Sequence, residues 1–313
     1  MLNFRWVDLP GDLAELESLV ARIEEHDGHP AMGERKYFHL VDPPSNADAY
    51  PPGLVAEDDG ERIVGYLAIL EEDSRLWTVE AAVRPDYRSE VHLSDLLAEA
   101  GKAVRTRGGR SIRLWAYVPE LTRVAETAGF SLERELHHMR VPLPLGERPH
   151  FPPEIEIRGF REGVDEEVWL DGNNRAFAGH PENGDWGIAD LDRRRRRPWF
   201  SSDGLRMAWD GHDLAGFCWT KVPSSRAGEI YVIAVLPGYQ GRGLGKALLL
   251  EGIRHMHDRG GARACVLYVD ATNLPAVNMY RSMGFRHHHT DRSYLGQLRA
   301  DDPEGSQGTL SVE

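Results

Sequence analysis

Residues 229–246, EIYVIAVLPGYQGRGLGK, contain a run of β-branched and aromatic residues, a Pro-Gly turn, a glycine-rich loop and the start of an apolar-periodic segment. Val, Ile and Tyr at 230–235 favour a buried strand, and Pro237-Gly238 ends it. From Lys246 to Arg259 the apolar residues Ala247, Leu248, Leu250, Ile253 and Met256 recur at helical spacing. Gly260-Gly261 close that helix. The loop Gln240-Gly241-Arg242-Gly243-Leu244-Gly245 therefore joins a strand to a helix N-terminus, where backbone N–H groups and the positive dipole end suit a phosphate. Glycine lets the backbone approach without an obstructing Cβ. Arg242 and Lys246 are candidates for charge-assisted contacts, and a glycine loop without a ligand is the alternative. It is not a dinucleotide fingerprint, which needs G-x-G-x-x-G and a later acidic residue, nor a P-loop, since GK[ST] does not occur here.

Outward from this stretch the pattern stays mixed. Glu154–Ile157 alternates like a strand, and Asp165–Phe177 has helical spacing before the loop AGHPENGDW. Leu214–Val222 and Glu229–Val235 flank PSSRAG as a hairpin, Ala264–Val269 is another strand, and Leu274–Met283 a short helix closed by Gly284. The expected class is an α/β unit with a mixed (α+β) central sheet.

That unit occurs twice. Pro85, Tyr87 and Gly108-Gly109 match Pro237, Tyr239 and Gly260-Gly261 at an offset of 152, and Gly129-Phe130 match Gly284-Phe285 at 155. So long a period means domain duplication rather than a solenoid. Five prolines between Pro142 and Pro153 mark the junction. The expected layout is a degenerate first domain over 1–145, a Pro-rich linker at 146–153, a catalytic domain over 154–299 and a disordered polar tail from 300 to 313.

The chain has 313 residues, a net charge of −13 and two cysteines. The acidic balance excludes phosphate-driven binding to nucleic acid or to anionic membranes. No segment approaches the roughly 20 apolar residues of a membrane span, and the N-terminus lacks a signal-peptide core. Cys218 and Cys265, both in apolar runs, suit buried thiols in a reduced, cytoplasmic compartment, and a monomer is expected.

The strand, Q-G-R-G-L-G loop and helix, followed by a strand, Asn273 and AVNMY ahead of Gly284-Phe285, are similar to the GNAT acetyltransferase family. The resemblance implies a tandem GNAT fold with acetyl-CoA as co-substrate. Gln240, Gly241, Arg242, Gly243, Leu244, Gly245 and Lys246 would hold the pyrophosphate. Ile233, Ala234 and Val235 would lie along the pantetheine arm, with Asn273 and Asn278 nearby. NNRAFAGHPENGDW, FCWTKV, LYVDATNLPAVNMYRSMGF and the final SYL resemble, more narrowly, the tandem enzymes of that family that form mycothiol. These acetylate the cysteinyl amine of cysteinyl-glucosaminyl-inositol. The likeness is dense over 154–295 and weak over 1–150.

Read alone, Glu229 at a strand start is either a solvent-facing carboxylate or a proton acceptor, and Tyr280 either a core aromatic or a proton donor. The resemblance implies that Glu229 is the general base and Tyr280 the general acid. It also implies substrate contacts at Glu34, Glu182, Lys221, Glu229 and Tyr268. Neither cysteine has a neighbouring His or cation in sequence, so no acyl-cysteine intermediate is expected. Arg193–Arg197 reads as a solvated helix end, with the CoA 3′-phosphate as a second possibility. His287-His288-His289 alternate faces on a strand, so no metal site is expected.

In the first copy Gly243 becomes Val91, Gly245 becomes Leu93, Arg242 becomes Glu90, Glu229 becomes Trp77 and Tyr280 becomes Ala125. Mycothiol-forming enzymes can keep a recognisable cofactor loop in the first domain, and this chain departs there. The first copy is expected to be scaffold and substrate wall. The alternatives are an acetyltransferase for another small amine and a non-catalytic acetyl-CoA sensor.

Overall fold

A computed structural model describes residues 2–42, 52–180, 183–223 and 226–298. In chain order the elements are β1 (Asn3–Trp6), α1 (Leu13–Asp27), α2 (Glu34–Val41), β2 (Gly53–Glu57), β3 (Ile63–Glu71), β4 (Leu76–Val83), α3 (Glu90–Thr106), β5 (Ser111–Ala116), α4 (Pro119–Thr127) and β6 (Ser131–Pro142). They continue with β7 (Ile155–Gly159), α5 (Glu166–Ala176), α6 (Ile188–Arg195), β8 (Leu205–Asp210), β9 (Asp213–Lys221), β10 (Gly228–Val235), α7 (Leu244–Asp258), β11 (Ala264–Asp270), α8 (Leu274–Ser282) and β12 (Arg286–Gln297). Among the described residues no helix is long and apolar enough to cross a membrane. The expected tail over 300–313 lies outside the described residues.

The chain forms two compact units, one of residues 1–136 with 290–313 and one of residues 137–289. In the first, strands run in the order β1-β2-β3-β4-β5-β12. The last strand of the chain is antiparallel to β5, from Arg292 opposite Ala116 to Gln297 opposite Ser111. Tyr294, 1% exposed, joins a core built by Leu93, Leu96, Ala100 and Val104 of α3. Leu16, Leu19, Val20 and Ile23 of α1 pack with Val55, Tyr66 and Ala82 in a separate core.

In the second unit the order is β6-β11-β10-β9-β8-β7. The two cores differ in chemistry. Leu248, Leu249, Ile253 and Met256 of α7 meet Cys218, Ile230, Cys265 and Leu267 in an aliphatic layer. The other core is aromatic, with Trp169, Trp186, Phe217 and Trp219 in contact, Trp169 and Trp219 edge-on at 5.2 Å. Helix α7 comes close to β9 at Gly252, where an added Cβ would stand 2.5 Å from Cys218 Sγ. Gly261, at φ +66°, turns the chain out of this helix. The Pro-rich segment is also packed here: Leu143, Leu145 and Phe151 lie against the aliphatic core.

One charge pair is deep in the first unit. Lys36 Nζ lies 2.9 Å from Glu80 Oε1, with Glu80 side-chain exposure of 1%, and the Gly33 N–H donates to Glu80 Oε2 at 2.6 Å. Removing one partner strands a buried charge. Lys36→Met should cost about 3 kcal/mol in urea denaturation, and adding Glu80→Leu should recover much of it. No loss in the single variant would show that the carboxylate is solvated.

Candidate active site

Strands β10 and β11 are parallel over only three residue pairs, Gly228 with Cys265, Glu229 with Val266 and Ile230 with Leu267. On its other side β10 stays paired with β9 to its end, Ile233, Ala234 and Val235 facing Cys218, Phe217 and Gly216. The register shifts between Ile230 and Val232, a bulge that re-aims the strand where it leaves β11. Beyond Ile230 the edge of β10 that faced β11 therefore offers backbone groups to a ligand along Ile233–Val235.

The loop after β10 continues that opening. Leu236 is buried and its N–H donates to Ala215 O, while Gln240 Nε2 donates to Val235 O at 3.3 Å. Gly241 and Gly243 have φ of +77° and +78°, and a Cβ on either would meet nothing within 4 Å. Glycine is thus required by backbone conformation, and the space beyond it is open. Gly243 is the N-cap of α7 and has no side chain to cap the helix, so the first-turn N–H donors face that space. Leu244 is buried and anchors the helix start, and Gly245 lies against Val235. Arg242 is exposed, its guanidinium 5.3 Å from the Tyr239 ring centroid, and Lys246 pairs with Glu147 at 2.6 Å.

Glu229 is part-buried, and Lys221 Nζ lies 3.6 Å from its Oε2. The same ammonium stands 5.2 Å from the Trp199 ring and 5.5 Å from the Tyr231 ring. Tyr280 belongs to the aliphatic core and is 7% exposed. Burial, with smaller contributions from the Cys218 and Cys265 thiols, pushes its phenol up to about 12, so it carries its proton at neutral pH. Tyr268 lies on β11, its ring 4.8 Å from that of His138. Asn273 caps α8, its side chain accepting from the Ala276 N–H at 3.3 Å, and Asn278 is exposed on that helix. Glu34 opens α2 in the first unit. Glu182 lies outside the described residues. The loop around it is held by Asn173 Nδ2 donating to Asn183 O and by two hydrogen bonds between Asn174 and the Trp186 backbone.

Two residues of the arginine run have defined places. Arg194 is 8% exposed, its Nε donates to Tyr231 Oη at 2.6 Å and its guanidinium lies 3.7 Å from the Trp186 ring centroid. Arg195 pairs with Glu162, Glu166 and Asp192. A solvated helix end does not describe them, because the helical spacing from buried Leu191 carries Arg194 onto the inward face. Arg194, Tyr231, Lys221 and Glu229 form a polar row against aromatic rings. Only the three-residue spacing from Leu191 hinted at the Arg194 contribution.

The first unit is built differently at the corresponding positions. Ser89 caps α3 by accepting from the His92 N–H, and Glu90 occupies its first turn. Arg88, at the place of Gln240, makes a two-pronged ion pair with Asp27 at 2.8 and 2.6 Å. Both line a cavity with Ala81, Ala82 and Val83, the counterparts of Ile233–Val235. Trp77 and Ala125 are buried.

Residues 159–285 match the family model described as Acetyltransferase (GNAT) family. The chain is 38% identical over 301 residues to a mycothiol acetyltransferase of Catenulispora acidiphila, covering 90% of this chain and 95% of that one. It is 37% identical over 298 residues to a protein of the same name from Thermobispora bispora, covering 92% and 97%. Among solved structures it resembles a GCN5-related N-acetyltransferase from Sphaerobacter thermophilus, with TM-score 0.70 and 20% identity over 95% of this chain and 96% of that one. It also resembles a tandem GNAT protein from the clavulanic acid biosynthesis pathway, with TM-score 0.70 and 17% identity over 96% and 100%.

Cys218 and Cys265 are free and buried, and desolvation raises both thiols well above their ordinary value. In the folded chain a thiol reagent at pH 7.5 should label neither. In guanidinium it should label both thiols of the chain. Rapid labelling of the native protein would reopen a nucleophilic role.

Proposed function

The chain belongs to the mycothiol acetyltransferases, acyltransferases of the GNAT family, and from that premise we propose that it acetylates the cysteinyl amine of 1D-myo-inositol 2-(L-cysteinylamino)-2-deoxy-α-D-glucopyranoside, with acetyl-CoA as donor, giving mycothiol and CoA. The observation that carries the donor site is the uncapped N-terminus of α7 behind Gly241 and Gly243, next to the parted end of β10. The N–H groups of that helix turn suit the pyrophosphate, and the backbone of Ile233–Val235 suits the amides of the pantetheine arm. Gln240 holds the loop to Val235, exposed Arg242 would meet phosphate charge, and Lys246 would do so by exchanging Glu147 for phosphate. Asn273 acts first as the cap of α8, the helix that carries Tyr280. Asn278 is a peripheral contact.

In this reading Glu229 accepts a proton from the substrate ammonium. The freed amine lone pair forms the N–C bond to the acetyl carbon while the C–S bond breaks. Tyr280 gives its phenolic proton to the departing sulfur, so that CoA leaves as the thiol, and the second proton, lost by the acylated nitrogen as it becomes the neutral amide, restores the phenol. Lys221 beside Glu229, together with Glu182 and Tyr268, would bind the hydroxyl-rich body of the substrate. The first unit binds no acetyl-CoA productively, since Arg88–Asp27 and the Ser89 cap occupy the groups a phosphate would use.

Mass spectrometry of protein, acetyl-CoA and the cysteinyl-glucosaminyl-inositol precursor should show one acetyl added to the amine. Acetylation of aminoglycosides or peptides but not of the precursor would overturn this substrate. Glu229→Gln should lower kcat by about 100-fold or more with acetyl-CoA binding retained, and Tyr280→Phe should lower it by about tenfold or more. Unchanged turnover in both would remove the acid–base assignment. Calorimetry should count one acetyl-CoA per chain, and two equivalent sites would refute the reading of the first unit.

A further inference from the structure

The second unit gathers histidines on β6 and β12. On β12, His287 meets His137 edge-on at 5.2 Å, while His288 and His289 both turn to His138 on β6, with ring centroids at 5.3 and 4.5 Å. Alternation along a strand would send neighbouring side chains apart, yet the rings of His288 and His289 are 5.5 Å apart. His138 is 4% exposed and packs between His289 and the Tyr268 ring. One ring nitrogen from each of His138, His288 and His289 lies within 4.8 Å of the other two.

We propose that His138, His288 and His289 form a binding site for a divalent cation of the nickel–copper–zinc group, ligated through three imidazole nitrogens. Three nitrogens on one zinc at about 2.1 Å stand about 3.4 Å apart, so the site closes with a shift of about 1 Å. The exposed His288 ring has the freedom to supply that shift, and buried His138 is the fixed point. The donor set is all imidazole, with no carboxylate or carbonyl in the triad. That chemistry suits zinc, copper and nickel and disfavours magnesium and calcium, which take oxygen ligands. Three protein ligands leave at least one coordination position for water or a small donor. Tyr268, assigned to the substrate above, packs against the buried ligand, with ring centroids 4.8 Å apart.

The test uses the full-length, untagged chain, stripped with a chelator and titrated with zinc by calorimetry in a non-coordinating buffer, with magnesium in parallel. One zinc per chain should bind with micromolar or tighter affinity, and magnesium should not bind. His288→Ala, a change at an exposed residue, should weaken zinc binding by about tenfold or more. His137→Ala, outside the triad, should leave it within about twofold. X-ray absorption at the zinc edge should show an imidazole-dominated ligand shell. Absence of saturable zinc binding below about 100 μM, or affinity unchanged in His288→Ala, would overturn the site.

Discussion

The parting of β10 from β11 after Ile230 is the constraint on which the second unit depends. A strand inside a sheet normally pairs with two neighbours, and Ile233–Val235 pair with β9 alone, Val235 O also accepting from Gln240 Nε2. The bulge between Ile230 and Val232 lets β10 keep one partner while turning from the other. The remaining backbone edge runs directly into a loop whose glycines adopt positive φ, and then into a helix start with no side-chain cap. Three separate backbone features thus present unspent donors or acceptors along one line. Around that line, the aliphatic core holds Tyr280 and the polar row beside the aromatic core holds Glu229.

The first unit shows what happens when the same groups are satisfied internally. Its β4 stays parallel to β5 from Leu76 through Glu80, longer than the match in the second unit. Ser89 caps the helix that follows, and the guanidinium of Arg88 is committed to Asp27. A capped helix and a buried ion pair stabilise the fold and leave little for a ligand. Duplication therefore produced two copies of one architecture with opposite uses of the same turn.

Local periodicity was legible. The hairpin, the helix after the glycine loop, the strand at Ala264 and the helix at Leu274 lie within a few residues of where spacing puts them, because each buries one face at its own repeat. The glycine loop was legible because positive φ restricts the residue type. Arg194 was barely so, since in a run of five arginines only the three-residue spacing from Leu191 marks the one that turns inward. The histidines of β12 were read as diverging, and their approach to His138 depends on a strand about 150 residues earlier.

By itself, the sequence determined a duplicated mixed α/β chain, a phosphate-suited loop present in one copy only, and buried thiols unsuited to catalysis. These follow from short-range patterns: hydrophobic period, glycine conformation and the chemistry of replaced residues. Only the tertiary structure decided that residues 290–298 complete the first unit and residues 137–142 the second. It alone placed Lys221 against Glu229 and brought three imidazoles together. Such pairings are made across strands and between distant segments, and register there is set by packing of whole faces, which no local stretch of sequence encodes.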